Sequence, residues 1–255
     1  MSFSYSKVGC YNECPYHYKL SYIDKLKSKF DEKPTNALCL GTAVHEGIEN
    51  HSVDKAVESY KSNYSTWGED NEVEIYKLKK VLPKAITQIP EGEYEYKLVG
   101  EDGFIGYIDL LVKVDEGVYD MYDFKYSNNS SKYKKSGQVH IYKYYYEKLT
   151  GNKIRNMYYA VVPKCTTVLN EDFKGDIREE IDKYLEDKDI HFEQIEYDPM
   201  QIKYFFARKT LMEKAVSYEK RYSMYCNWCE FKMFCRTNGK DRSEIDEPVV
   251  EESLF

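Results

Sequence analysis

The sequence predicts an α/β fold, a mixed β-sheet flanked by helices, on three observations. Between Glu93 and Tyr126, three runs rich in β-branched and aromatic residues are separated by Glu101-Asp102-Gly103 and Asp115-Glu116-Gly117. A three-residue turn with Gly last is the pattern of a hairpin closed by a left-handed residue. A helical stretch over 136–151 then leads to a β-rich run over 155–163, and strand, helix, strand is a right-handed crossover that sets the last strand parallel to a neighbour. Finally, Leu38, Leu40, Val44 and Ile48 recur at helical spacing after Pro34-Thr35-Asn36, which gives a helix reaching about His51.

The remaining elements follow in order. Residues 3–30 read as helical or partly so and contain Cys10 and Cys14-Pro15. Residues 54–89 suggest two helices, interrupted near Trp67-Gly68 and kinked or ended at Pro83. A polar loop covers 128–135, an acidic helix 172–189, and Asp198-Pro199 caps a helix reaching about Arg221. Beyond Cys235 the chain turns acidic and loses periodicity, so 238–255 reads as a disordered tail. The expected organisation is one domain over 1–237, with a helical portion about 50–90. At 42% hydrophobic and 32% charged residues the chain can bury a substantial core. No run has the length of a bilayer span and the N-terminus lacks a signal-peptide pattern, so a cytoplasmic protein with no membrane partner is expected.

Strand register makes one stretch conspicuous. Pairing from Val114 and Val118 across the second turn matches residues whose numbers total 232, so Asp109 faces Asp123 and Lys125 points to the same face. The first turn, paired from Gly100 and Phe104, matches totals of 204 and sets Glu95 opposite Asp109. Like charges directly opposite destabilise a sheet, and charge buried without a partner is costly. Two facing carboxylates beside an ammonium call for a cation, and a hard divalent metal is the natural one. Glu95 reads equally well as a third carboxylate in this row or as a solvated outward charge.

The net charge of −7 argues against indiscriminate polyanion binding, yet residues 123–164 carry nine basic and two acidic side chains. That segment, with Lys132, Lys134 and Lys135 in its loop, suits a phosphate-bearing substrate, although a solvated lysine-rich loop would look the same. Seven cysteines in a cytosolic chain read as metal ligands or buried thiols. Cys226, Cys229 and Cys235 form Cys-x2-Cys-x5-Cys, and a four-ligand site needs one more thiol. Cys14 is the choice, with Cys10 its rival, and a metal there would join the two ends of the domain. His45 lies four residues before Glu49 on one helical face; a lone helical His is more often structural than a ligand.

In these residues the chain resembles the RecB-like, iron-sulfur branch of the PD-(D/E)XK nuclease superfamily, which includes AddB-type nuclease domains and CRISPR-associated exonucleases. The matching motifs are Cys14-Pro15-Tyr16-His17-Tyr18, Gly41-Thr42-Ala43-Val44-His45-Glu46, Gly106-Tyr107-Ile108-Asp109, Asp123-Phe124-Lys125, Gln138 with Tyr142, and the closing cysteines. Ile108 stands where the family's name has proline. The resemblance implies a restriction-endonuclease-like sheet whose termini are joined by a metal cluster. It implies that His45, Asp109, Asp123 and the Phe124 carbonyl bind Mg2+ or Mn2+, and that Lys125 positions or activates water. Cys14, Cys226, Cys229 and Cys235 would hold a 4Fe-4S cluster, with zinc as the alternative, and Gln138 and Tyr142 would touch the DNA backbone. The implied activity is that of a DNA exonuclease acting on single strands or ends, in recombination, repair, replication or CRISPR adaptation. The alternatives are a non-catalytic DNA-binding module, or a subunit active only with a helicase or integrase. The final Glu251-Glu252-Ser253-Leu254-Phe255 is similar in part to peptides that bind the sliding clamp, with Glu251 replacing their leading Gln.

Overall fold

A computed structural model of the chain describes residues 2–28, 36–64, 69–166, 175–243 and 245–246. In chain order the elements are α1 (Tyr5–Glu13), α2 (Pro15–Tyr18), β1 (Lys27–Ser28), α3 (Asn36–Glu49), α4 (Val53–Asn63), α5 (Glu69–Gln88), β2 (Glu93–Val99), β3 (Ile105–Asp115) and β4 (Val118–Tyr126). They continue with α6 (Gln138–Thr150), β5 (Lys153–Val162), α7 (Ile177–Leu185), β6 (His191–Ile195), α8 (Pro199–Glu213), α9 (Lys232–Arg236) and β7 (Ile245–Asp246). The chain divides into two compact units, residues 35–202 with Ser2, and residues 3–34 with 203–255.

The first unit holds a five-stranded sheet in the order β2-β3-β4-β5-β6. All neighbours are antiparallel except β4 and β5, which are parallel. Helix α6 is the crossover between them and stops where Gly151 adopts φ +74, the left-handed conformation that ends helices. Leu40, Val44 and Ile48 of α3 share one buried cluster with Ala56 and Tyr60 of α4, Leu78 and Leu82 of α5, and Leu110, Phe124, Ala160 and Val162 of the sheet. Gly47 lets α3 approach its neighbours closely, since a Cβ there would stand 2.8 Å from the Ala56 Cβ and 3.2 Å from Leu82 Cδ1. Burial of this apolar face, more than local propensity, fixes the helices on the sheet.

Two expectations need correction, and one strand was missed. Of the two outcomes expected at Pro83, a kink or an end, the helix does not end there; the cluster buried by Leu78, Leu82 and Ala85 outweighs one lost hydrogen bond. Helix α8 stops at Glu213, short of Arg221. Strand β6 went unread because it is an edge strand that buries only Ile195, so its sequence carries little apolar alternation. The irregular C-terminal segment does not begin at Asn238: Ile245 and Asp246 pair with Ser28 and Lys27, and Ile245 is buried with Leu20, Phe231 and Phe234 in the second unit. Residues 247–255, including the clamp-like pentapeptide, lie outside the described residues. No described helix is long and apolar enough to cross a membrane.

Gly47→Ala decides between two effects of opposite sign. Helix propensity favours Ala by about 1 kcal/mol, while overpacking costs about 1–3 kcal/mol. The contact with Ala56 should win, lowering the urea midpoint; a raised midpoint would mean that α4 yields without cost.

Candidate active site

The two hairpins bring the carboxylates together. The first closes as expected, with the Gly100 N–H donating to the Phe104 carbonyl at 2.9 Å and Gly103 at φ +91. Its ladder runs from Glu93↔Leu111 to Val99↔Ile105, every pair in the expected register. The second turn differs: Asp115 pairs with Val118, and a shift between Lys113 and Asp115 absorbs the extra residue. From Lys113↔Tyr119 to Leu110↔Tyr122 the register is the expected one, so Asp109 and Asp123 occupy the next position across. Glu95 lies between Tyr94↔Leu110 and Tyr96↔Ile108, across from Asp109, with φ +50. A left-handed glutamate inside a strand is strained by roughly 1–3 kcal/mol, which points to a functional constraint on its direction.

Around this row, distances are short. The Phe124 N–H donates to Asp109 Oδ2 at 2.6 Å. His45 Nε2 donates to the Phe124 carbonyl at 3.0 Å, because a carbonyl can only accept. In a neutral ring that leaves the Nδ1 lone pair 3.6 Å from Asp109 Oδ2, two electron-rich atoms facing one another. One ligand atom each from His45, Glu95 and Asp109 lies within 4.8 Å of the others. Asp123 is 2% exposed; its Oδ1 lies against the Lys125 ammonium and its Oδ2 has no hydrogen-bond partner. The Tyr159 and Tyr133 rings stand 5.7 and 5.9 Å from Lys125 Nζ.

The electrostatics are those of like charges held close together under burial. Burial, then the Asp123 charge, pushes Asp109 well above the usual carboxylate range, against Lys125 and the Phe124 N–H. Burial lowers His45, with Lys125 adding to it and Asp123 opposing, so the imidazole tends to neutrality. Burial would lower Lys125, but Asp123 and Asp109 outweigh it and raise the ammonium. Glu95 is exposed, as its outward-charge reading expects, yet desolvation by its neighbours and the Glu49 and Glu46 carboxylates raise it.

Gln138 Nε2 donates to the Tyr142 hydroxyl at 3.1 Å, and burial pushes that phenol up to about 12, so it keeps its proton. Gly106 makes room for Tyr142: a Cβ there would be 2.9 Å from Tyr142 Cε1. Among the loop lysines, Lys134 pairs with Glu193 at 3.0 Å and Lys132 sits 4.7 Å over the Tyr133 ring, while Lys135 is exposed. Sequence reasoning missed Tyr159, which pairs with Asp123 across the parallel β4–β5 ladder. It noted Glu49 only by its spacing from His45.

In the second unit, Cys14, Cys226, Cys229 and Cys235 line one cavity of about 400 Å³. Cys10, their rival, lines a neighbouring cavity with His17 instead. Backbone N–H groups point at two of the sulfurs: His17 N–H at Cys14 Sγ, 3.5 Å, and Ser223 N–H at Cys226 Sγ, 3.4 Å. Pro15 and the Cys14 N-cap start α2 there, so the helix start and the thiol position are one feature.

A family model described as the PD-(D/E)XK nuclease superfamily matches residues 2–236. No curated protein matches the chain. Among solved structures, one described as a "putative exonuclease" from Eubacterium rectale is similar in fold at 14% identity, covering 97% of this chain and 90% of that one with a TM-score of 0.56. Another, SSO0001, covers 92% of this chain and 86% of that one at 11% identity, with a TM-score of 0.43.

Because Asp109 is raised in the folded state, that state binds its proton more tightly than the unfolded chain does. Stability is therefore lost as pH rises from the ordinary carboxylate range through the raised value. In chelator, Asp109→Asn should melt above wild type at pH 7–8 and converge with it near pH 4. A wild type more stable than the variant at pH 8 would contradict the assigned electrostatics.

Proposed function

Because the chain belongs to the PD-(D/E)XK nuclease superfamily, we propose that it is a metal-dependent DNA exonuclease, acting on single strands or DNA ends and carrying an iron-sulfur cluster. The observation that carries the metal-dependent reading is the pair of facing carboxylates: buried Asp123, whose Oδ1 meets the Lys125 ammonium and whose Oδ2 has no hydrogen-bond partner, beside a raised Asp109. One ammonium balances one of the two charges, and a cation would balance the other.

Asp109, Asp123, Glu95, His45 and the Phe124 carbonyl would hold Mg2+ or Mn2+, since oxygen donors suit a hard divalent ion and an imidazole favours Mn2+. When bound, such an ion supplies charge stabilisation at the phosphate and makes water a competent nucleophile at neutral pH. The chain's own groups do the rest. The Phe124 N–H fixes the Asp109 carboxylate. Lys125, kept protonated by Asp123 and Asp109, places a positive charge where negative charge develops on the phosphate. Tyr142, whose oxygen accepts from Gln138, has its own hydrogen to donate to a backbone phosphate.

For the cysteines, the donor set suits iron or zinc, and the family resemblance supports a cluster. The N–H donors at Cys14 and Cys226 are of the kind that stabilise cluster thiolates. A bound cluster would clasp the chain's early and late segments within the second unit.

With end-labelled DNA and Mn2+ or Mg2+, wild type should release nucleotides, and Asp123→Ala and Lys125→Ala should each be slower by about 10²–10³-fold or more. The anaerobically purified protein should hold about four irons per chain, lost in Cys14→Ser. Wild type that leaves DNA intact would refute the nuclease reading; zinc in place of iron would refute the cluster.

A further inference from the structure

Within the second unit, the segment 220–236 exposes what soluble surfaces usually cover. Tyr222, Met224, Tyr225 and Trp228 are 75%, 67%, 69% and 74% exposed. Four large apolar side chains within seven residues exceed the scattered exposure that needs no explanation. Tyr222, Tyr225 and Trp228 recur every third residue about a 3-10 turn, Met224–Asn227, which Ser223 caps by accepting from the Tyr225 N–H at 3.2 Å. Tyr222 precedes the turn and Trp228 closes it, and all three residues line the cysteine cavity.

Cations accompany the rings. Lys220, Arg221, Lys232 and Arg236 line the same cavity, and none forms an ion pair among the described residues. Lys220 Nζ donates to the Cys235 carbonyl and to Asn238 Oδ1, both at 2.6 Å, and Arg221 donates to the Asn12 carbonyl. Of the acidic residues there, Glu230 is committed to His17 at 2.7 Å, leaving Glu13. Arg208 stacks 3.7 Å over the Tyr204 ring, itself 55% exposed. Burial, and then the Arg221 charge, lowers the Arg208 guanidinium.

We infer that this surface is a binding platform for single-stranded nucleic acid, with bases stacked on Tyr222, Tyr225 and Trp228 and phosphates on Arg221 and Arg208. Rings at repeated spacing beside unpaired cations give both halves of single-strand recognition: every base has a face to stack, and the backbone has charges to follow. A protein partner would want the rings but not a row of unpaired cations. Duplex DNA would want the cations, but its stacked bases cannot reach the rings. The inference deepens the exonuclease reading by choosing single strands, and it rests on that reading only for its biological use; binding can be measured without cleavage.

The chain has two tryptophans, so in Trp67→Phe the emission reports Trp228 alone. In the full chain carrying Trp67→Phe and Asp123→Ala, an oligothymidylate of about twenty nucleotides should quench that emission, and a duplex of equal length should not. Tyr225→Ala should weaken single-strand binding about ten-fold, as expected for one lost stack. Arg221→Ala should flatten the slope of log affinity against log salt by about 0.7. Iron content is measured in each variant, and Tyr222→Ala, outside the Cys-x2-Cys-x5-Cys spacing, repeats the stacking test at a second ring. Absent quenching, equal quenching by duplex, or affinities of both tyrosine variants within two-fold of the parent would overturn the platform and leave the surface to a protein. Strand binding with quenching in a protein that keeps Asp123 yet cuts no DNA would instead refute the nuclease reading and leave the platform standing.

Discussion

Two carboxylates facing each other across a sheet are the constraint on which the structure of the first unit turns. Opposite positions bring side chains to about 5 Å, and at an effective dielectric near 20 two like unit charges there repel by roughly 3 kcal/mol. That is a large part of the 5–15 kcal/mol by which a domain is stable. Lys125 and the Phe124 N–H offset some of it. The rest is met either by protonating Asp109, which would then donate toward the Nδ1 lone pair of His45, or by a cation held between them. The strained backbone of Glu95 brings one more carboxylate to the same place.

Much of this site was legible because it depends on short-range rules. A glycine ending a three-residue turn fixes strand register, register fixes which side chains face, and the residues between Gly100 and Tyr126 obey that chain of consequences. The bulge before the second turn changed the closing pair without disturbing the pairs that matter. His45 could be named by motif, but its hydrogen bond to Phe124, 79 residues away, belongs to packing of α3 on the sheet.

What was not legible is long-range. The β4–β5 ladder was expected to be parallel, yet nothing in the crossover states which β5 residue meets Asp123, so Tyr159 went unread. Edge strand β6 buries too little to leave a pattern, and with it the Glu193 partner of Lys134 was lost from view. That contact removes one of three supposed phosphate lysines from ready use. In the second unit, spacing could not decide between Cys14 and Cys10; the start of α2 at Pro15 turns Cys14 into the cysteine cavity, while Cys10 falls beside His17.

The most direct measurement is diffraction from crystals soaked in Mn2+, with anomalous scattering recorded at the manganese edge. The expected result is a peak bonded to Asp109 and Asp123 within reach of His45 and Glu95, at about 2.1–2.3 Å from the ligating atoms. A map with no peak there, with Lys125 still seated on Asp123, would show that the facing carboxylates are held by the ammonium alone and are not a metal centre.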